Sequence, residues 1–177
     1  MWRRILGVVA TLAYPFAVYL GSARLEAREL ALLPLALLLL RGFRGPLALL
    51  LAVAAVTLAA SAAWANSALP LKAYPAVVNL GLLILFAASL VHPPSAIERL
   101  ARLREPELSA GAVAYTRRVT QVWCVFFAGN GAMAAWTALY ASDGLWALYN
   151  GLIAYLLIAA LLAGEWLVRQ RVRARHG

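Results

Sequence analysis

Five stretches of this chain run without a charged side chain: Ile5–Ala23, Gly45–Leu71, Ala73–Ile97, Val119–Ser142 and Gly144–Gly164. Each is long enough to cross a bilayer, because a hydrocarbon core about 30 Å thick takes roughly 20 apolar residues at about 1.5 Å of rise per helical residue. No soluble domain of 177 residues can bury so many segments that are apolar all round. Hydrophobic residues make up 64% of the chain and charged residues 13%, which inverts the balance of an ordinary soluble domain. The sequence therefore predicts an all-α, polytopic transmembrane helical bundle forming a single domain over 1–177.

A sixth apolar segment, Leu30–Leu40, is short for a span, but Arg28 and Arg41 bracket it and can snorkel toward headgroups. It is leucine-rich on every side, so it lacks the polar face of an interfacial helix. It reads as a span over about 24–40 with Pro34 inside as a kink. The expected spans are then about 5–23, 24–40, 46–69, 73–92, 119–141 and 145–168. The first reads as a retained helix rather than a signal peptide, since Pro15 stands in mid-run.

The net charge of +9 would suggest nucleic acid in a soluble protein. Here the arginines gather at the ends of apolar segments, which is the pattern of membrane topology, and no nucleic-acid partner is expected. Six spans with both termini inside put thirteen basic residues in the cytoplasm and three (Arg24, Arg28, Lys72) outside. A five-span arrangement with the N-terminus outside scores the same, because Arg3 and Arg4 exchange places with Arg24 and Arg28. Both arrangements leave the C-terminus and the 98–118 loop cytoplasmic. In that loop Pro93-Pro94 ends a helix, and Ser95 with Glu98 forms a capping-box signature. Ile97, Leu100 and Leu103, interleaved with Arg99, Arg102 and Arg104, describe a short amphipathic helix between spans four and five, with arginines toward anionic lipid.

Catalytic constellations are absent from the sequence. It has no phosphate-binding glycine loop, and its one cysteine, Cys124, excludes an internal disulfide. His92 and His176 are too differently placed to meet. Asp143 is expected to cap the last helix, and Glu165 to pair with Arg169 one turn later. No catalytic residue, metal site or cofactor is expected, and the chain reads as a non-enzyme.

Polar side chains inside apolar segments are more informative, because each must find a partner or line a cavity. Asn79, Gln121, Asn130 and Asn150 are of this kind, and Gly129 and Gly131 beside Asn130 would let a neighbouring backbone approach. Their structural reading is interhelical hydrogen bonding. Their functional reading is a pocket for a lipid headgroup or other ligand, completed by Tyr149 and with headgroup charge met by Arg117 and Arg118. Ala55, Ala59 and Ala63 form a small-residue stripe suited to tight helix packing, within the chain or with a second subunit. Trp64, Tyr74, Trp136, Tyr140, Trp146 and Tyr149 gather near the outer span ends as an interfacial belt.

The stretch Ala114–Gly164 opens with AYTRRVTQVWCVFF, carrying Arg117-Arg118, Trp123 and Phe126-Phe127, and continues through Tyr140-Ala141-Ser142-Asp143, Trp146 and Tyr149. This series resembles the C-terminal part of the intracellular septation protein A family of inner membrane-spanning proteins. LKAYPAVVNLGLLILFAASL resembles that family's proline-containing fourth span. The chain departs from the family at Ala134, where the family has asparagine, and at Asn150, where the family has lysine. Over its full length the chain more closely resembles a related group of bacterial inner-membrane proteins whose genes accompany those for aryl polyene pigments. The resemblance implies a multi-pass protein of the bacterial inner membrane that supports cell-envelope biogenesis or division, through helix–helix contacts with other membrane proteins or with itself. The alternative it implies is an accessory or carrier handling a lipid or aryl-polyene lipid. Membrane lipids are partners in either case.

Overall fold

The computed structural model of the protein describes residues 2–34, 36 and 46–174. Among these, every regular element is helical: α1 (Trp2–Ser22), α2 (Ala27–Leu30), α3 (Pro46–Ala65), α4 (Leu69–Val91), α5 (Ala96–Arg102), α6 (Ala110–Tyr140), α7 (Asp143–Leu148) and α8 (Ala154–Ala174). A π-helical turn, Tyr149–Ile153, joins α7 to α8 without a break. Three helical stretches are long and apolar enough to cross a membrane: Leu69–Val91, Ala110–Tyr140 and Asp143–Gln170. They correspond to the spans expected near 73–92, 119–141 and 145–168. The first and third expected spans match α1 and α3 in position. Over the expected span 24–40 the chain instead turns at 23–25, forms the short α2 and turns again at 31 before a helical 32–34. No continuous helix therefore runs from 24, and 35 and 37–40 lie outside the described residues.

Helix ends follow local chemistry. Pro70 stands in the first turn of α4, where its missing N–H costs nothing. Asn66 adopts φ 44° just after α3, and the following Ser67 N–H returns to Ala62 O at 3.2 Å, a left-handed C-terminal cap for which asparagine is suited. Ser109 Oγ accepts from Ala112 N at the start of α6. Ser142, rather than Asp143, caps α7, its Oγ accepting from Leu145 N at 3.3 Å. Asp143 instead pairs with Lys72, 71 positions earlier in the chain. The sequence could not reveal this, because ion pairing across helices leaves no local spacing.

Side-chain contacts order the helices. Asn79 meets Asn130, Phe86 packs on Phe127 with ring centroids 5.2 Å apart, and Arg117 reaches Leu90 O, so α4 and α6 run antiparallel. Thr137 bonds Asn150 and Tyr115 bonds Glu165, so α8 runs back along α6. Tyr19 lies beside Gly144, Phe16 against Gly151 and Tyr155 against Thr11, so α1 is antiparallel to the α7–α8 helix. A Cβ at Gly151 would stand 2.5 Å from the Phe16 ring, and glycine there is what admits α1 to this contact. The molecule thus has an arginine-rich end, holding α5, and an opposite end holding Lys72 and Asp143.

The core sits toward the Lys72 end. Trp146, Leu71, Val18, Ala55 and Ala62 are fully buried, with Tyr14, Ala59, Tyr74, Ala138 and Ala147 around them. The small-residue stripe of α3 therefore packs within the chain. It runs through Ala55, Ala59 and Ala62, whereas Ala63 is exposed. A spacing of four then three tracks the 3.6-residue helix better than two steps of four. The aromatic belt divides in the same way. Trp64, Trp136 and Tyr140 are exposed, but Tyr74 and Trp146 belong to the core.

Two prolines inside helices explain much of the cross-bracing. Pro75 has no N–H to offer Leu71 O, four residues back, and Tyr14 of α1 donates its hydroxyl to that carbonyl at 2.9 Å. The neighbouring carbonyl of Lys72 accepts from Trp146 Nε1 at 3.1 Å. Pro15 likewise frees Thr11 O, and Tyr155 of α8 supplies the donor at 3.2 Å. In an apolar setting a freed carbonyl has no water to turn to, so a neighbouring helix must answer it. Tyr14→Phe is expected to cost about 1 kcal/mol in the native chain but close to nothing in a Pro75→Ala background, where residue 75 regains its own donor. Unfolding in mixed micelles with rising SDS fraction measures both, and equal losses in the two backgrounds would refute the pairing.

Candidate functional site

Halfway along α4 and α6 a ladder of polar side chains crosses three helices. Tyr149 of the π-helical turn donates its hydroxyl to Asn130 Oδ1 at 2.9 Å. Asn130 Nδ2 donates to Asn79 Oδ1 at 3.0 Å, and Asn79 Nδ2 to Pro75 O at 2.8 Å. Both asparagines are buried. Gly131 makes the crossing possible, since a Cβ there would lie 3.0 Å from Asn79 Cβ. Gly129 has nothing comparable beside it, so only one of the two glycines serves a close approach.

Asn150 heads a second, separate set. Its Nδ2 donates to Thr137 Oγ1 at 3.1 Å and to Trp146 O at 2.9 Å, and Thr137 donates to Ala134 O at 3.0 Å. The π-helical turn lets consecutive residues, Tyr149 and Asn150, serve two different levels of α6. Wide turns of this kind are frequent at functional positions. Between α4 and α6, beside the ladder, lies a shallow apolar groove of about 280 Å³ lined by residues such as Leu80, Leu83, Phe127 and Ala132.

The remaining expected site residues stand apart. Gln121 is exposed and enters no hydrogen bond with the described residues. Arg117 and Arg118 are also exposed, near the end of α4, which puts them about 16 Å along the helix axis from Asn79. Arg117 donates to Leu90 O at 2.9 Å, and Arg99 to Pro94 O at 2.8 Å and His92 O at 3.3 Å. These guanidinium groups cap the carbonyl end of α4, where the helix dipole favours positive charge.

At this end α5 is pinned from both sides. Ser89 Oγ of α4 accepts from Ala96 N at 2.8 Å, and Thr120 Oγ1 of α6 accepts from Ile97 N at 3.3 Å. Ser95 N donates to Glu98 Oε2 at 3.3 Å, as the capping-box signature predicts, and the Ser95 hydroxyl faces the Glu98 N–H in looser geometry. Glu98 itself is buried and receives Arg102 at 2.7 Å. Arg99 and Arg102 are therefore tied to the protein rather than left free for lipid, while Leu100 and Leu103 are exposed. Glu165 accepts from Tyr115 at 3.4 Å, and no ion pair with Arg169 forms. Sequence reasoning missed Tyr14, Tyr155, Thr120 and Thr137. The usable signal for the two tyrosines was the orphan carbonyl that each in-helix proline creates.

Among the described residues no group of three or more histidine, cysteine, aspartate or glutamate side chains is placed to hold a metal. Fold and ladder together define an all-helical protein whose long apolar helices suit a membrane and whose interior polar groups are matched between helices. No protein-family model, curated protein or solved structure matches the chain.

Proposed function

We propose that this is a non-enzymatic integral protein of the bacterial inner membrane that supports cell-envelope biogenesis or division through contacts with other membrane proteins. The observation that carries the reading is the internal matching of Asn79, Asn130, Tyr149 and Asn150. Amides bonded to one another hold helices together, and they leave fewer free groups for a lipid or aryl-polyene ligand than the alternative reading needs. The outward faces of α4 and α6, with Leu80, Ile84, Val122 and Val125 exposed, are then the surfaces on offer. The envelope role rests on the resemblance of 114–164 to the septation protein family.

The same reading has six spans, with both termini and the 98–118 loop in the cytoplasm. Its support is the direction of α1, antiparallel to the α7–α8 helix, where the five-span arrangement requires parallel. The chain also leaves α1 at the Lys72 end and enters α3 from the other, since α3 and α4 are joined by only a short turn.

Single cysteines in a Cys124→Ala background test both parts. In intact cells Ser67→Cys is expected to react with a membrane-impermeant maleimide, and Arg3→Cys only after permeabilisation. Val125→Cys is expected to give a discrete crosslinked adduct with another membrane protein or a second copy. Labelling of Arg3→Cys in intact cells would remove the six-span topology, and uncrosslinked chain alone would remove the scaffold role.

A further inference from the structure

A second site lies at the opposite end from α5. A cavity of about 460 Å³ opens between the end of α1 and the start of α7, lined by Tyr19, Leu20, Ser22, Ala23, Arg24 and Asp143. That volume falls within the roughly 300–1,000 Å³ usual for small-ligand sites. Exposed Trp64, Trp136 and Tyr140 sit near the helix ends on this side, which is where aromatic rings meet lipid headgroups.

Charge in the cavity is mixed and incompletely matched. Asp143 Oδ1 is taken by Lys72, whose side chain is 14% exposed, while Asp143 is 46% exposed and its Oδ2 has no hydrogen bond with the described residues. Of the other two cations at this end, Arg28 pairs with Glu26 at 2.7 Å. Arg24 enters no ion pair or side-chain hydrogen bond with the described residues, although its backbone is fixed by Arg24 N donating to Gly21 O at 2.9 Å. All seven acidic residues of the chain lie within the described segments. Arg24, unpaired among the described residues, and the partly paired Asp143 thus line a single cavity with an apolar wall of Leu20 and Ala23.

We infer that this cavity binds the headgroup of a zwitterionic aminophospholipid, its phosphate on Arg24 and its primary ammonium on Asp143 Oδ2. A purely anionic headgroup would satisfy Arg24 and leave Asp143 Oδ2 without a hydrogen-bond donor. A choline headgroup carries the charge but has no N–H to donate to Oδ2. Leu20 and Ala23 seat the start of the acyl chains, which ties the ligand to the bilayer. The inference rests on the membrane-spanning reading above but not on the scaffold role.

Native mass spectrometry of the full chain, with phosphatidylethanolamine, phosphatidylglycerol and phosphatidylcholine of one acyl composition, tests it. Phosphatidylethanolamine is expected to be retained about tenfold better than the other two, and Arg24→Gln to abolish that preference. Arg24 is exposed and makes no ion pair or side-chain hydrogen bond with the described residues, so its loss should leave the fold intact, and Arg28→Gln serves as the unchanged control. Equal retention of the three lipids, or a preference that survives Arg24→Gln, would overturn the site. Full competition by acyl-free glycerophosphoethanolamine at equal concentration would overturn its assignment to lipid. A chain that stays in solution without detergent would instead refute the membrane reading, so the two failures are distinguishable.

Discussion

Trp146→Ala is expected to cost about 3–5 kcal/mol, the largest loss of any single truncation in the protein. Trp146 is completely buried at the junction of α1, α3, α4 and α7, where it shares one cluster with Val18, Ala55, Leu71 and Tyr74. Its removal leaves a void that rigid helices cannot close, and dispersion contacts on all sides are lost with it. It also withdraws the indole N–H from Lys72 O, which Pro75 leaves at the weakened start of α4. Lys72 is in turn the partner of Asp143 three residues before Trp146, so packing, backbone and charge are compromised together. Trp136→Ala is the matched control. Its ring is 50% exposed, so lipid or detergent can occupy the vacated space and the loss should stay below about 1 kcal/mol. Unfolding in SDS-containing mixed micelles compares the pair, and similar losses for the two tryptophans would show that the core is not where the burial puts it.

What the sequence revealed, and what it hid, divides along a physical line. Hydropathy is a local property, so charge-free runs located α4, α6 and the α7–α8 helix to within a few residues, apart from the first part of α6, 110–118, which precedes the run beginning at Val119. Which way a helix faces is not local. A soluble helix announces its inner face by an apolar stripe. A helix surrounded by lipid is apolar all round, and only its polar and small residues carry directional information. Asn79, Asn130 and Asn150 were legible for that reason, and all three turn inward. Gln121 broke the pattern because it lies one turn from Arg117 and Arg118, toward the arginine-rich end of the molecule, and faces outward.

The rest was illegible because its logic spans helices. Nothing near Tyr14 points to Leu71, and nothing near Tyr155 points to Thr11. The connecting fact is that a proline four residues further along frees a carbonyl, and that fact names the acceptor without naming the donor. Lys72 and Asp143 are a similar case. Each read as an end-of-helix charge, and they meet only because α4 and α7, both antiparallel to α6, start at the same end of the molecule. The aromatics were over-assigned to an interfacial belt because tryptophan and tyrosine look alike whether they anchor to headgroups or donate to a backbone carbonyl inside the core.

The second large effect concerns the ladder. Asn130→Leu is expected to cost about 2 kcal/mol, and because leucine branches at the same atom as asparagine and is the larger of the two, none of the loss comes from a void. Asn79 Oδ1 loses its donor and the Tyr149 hydroxyl loses its acceptor, and the burial of Asn79 keeps a substitute partner away. A buried polar group left alone is worse than none, so removing its partners should return stability. The triple variant Asn79→Leu, Asn130→Leu, Tyr149→Phe is expected to recover most of what Asn130→Leu loses, as measured in the same micelle titration. Recovery would mean that the three side chains exist for one another, which is what a helix-bracing role requires. If the triple variant instead remains as weak as Asn130→Leu, the amides must be meeting some further polar group at mid-helix, and the ligand-pocket reading would regain the ground that the scaffold reading holds.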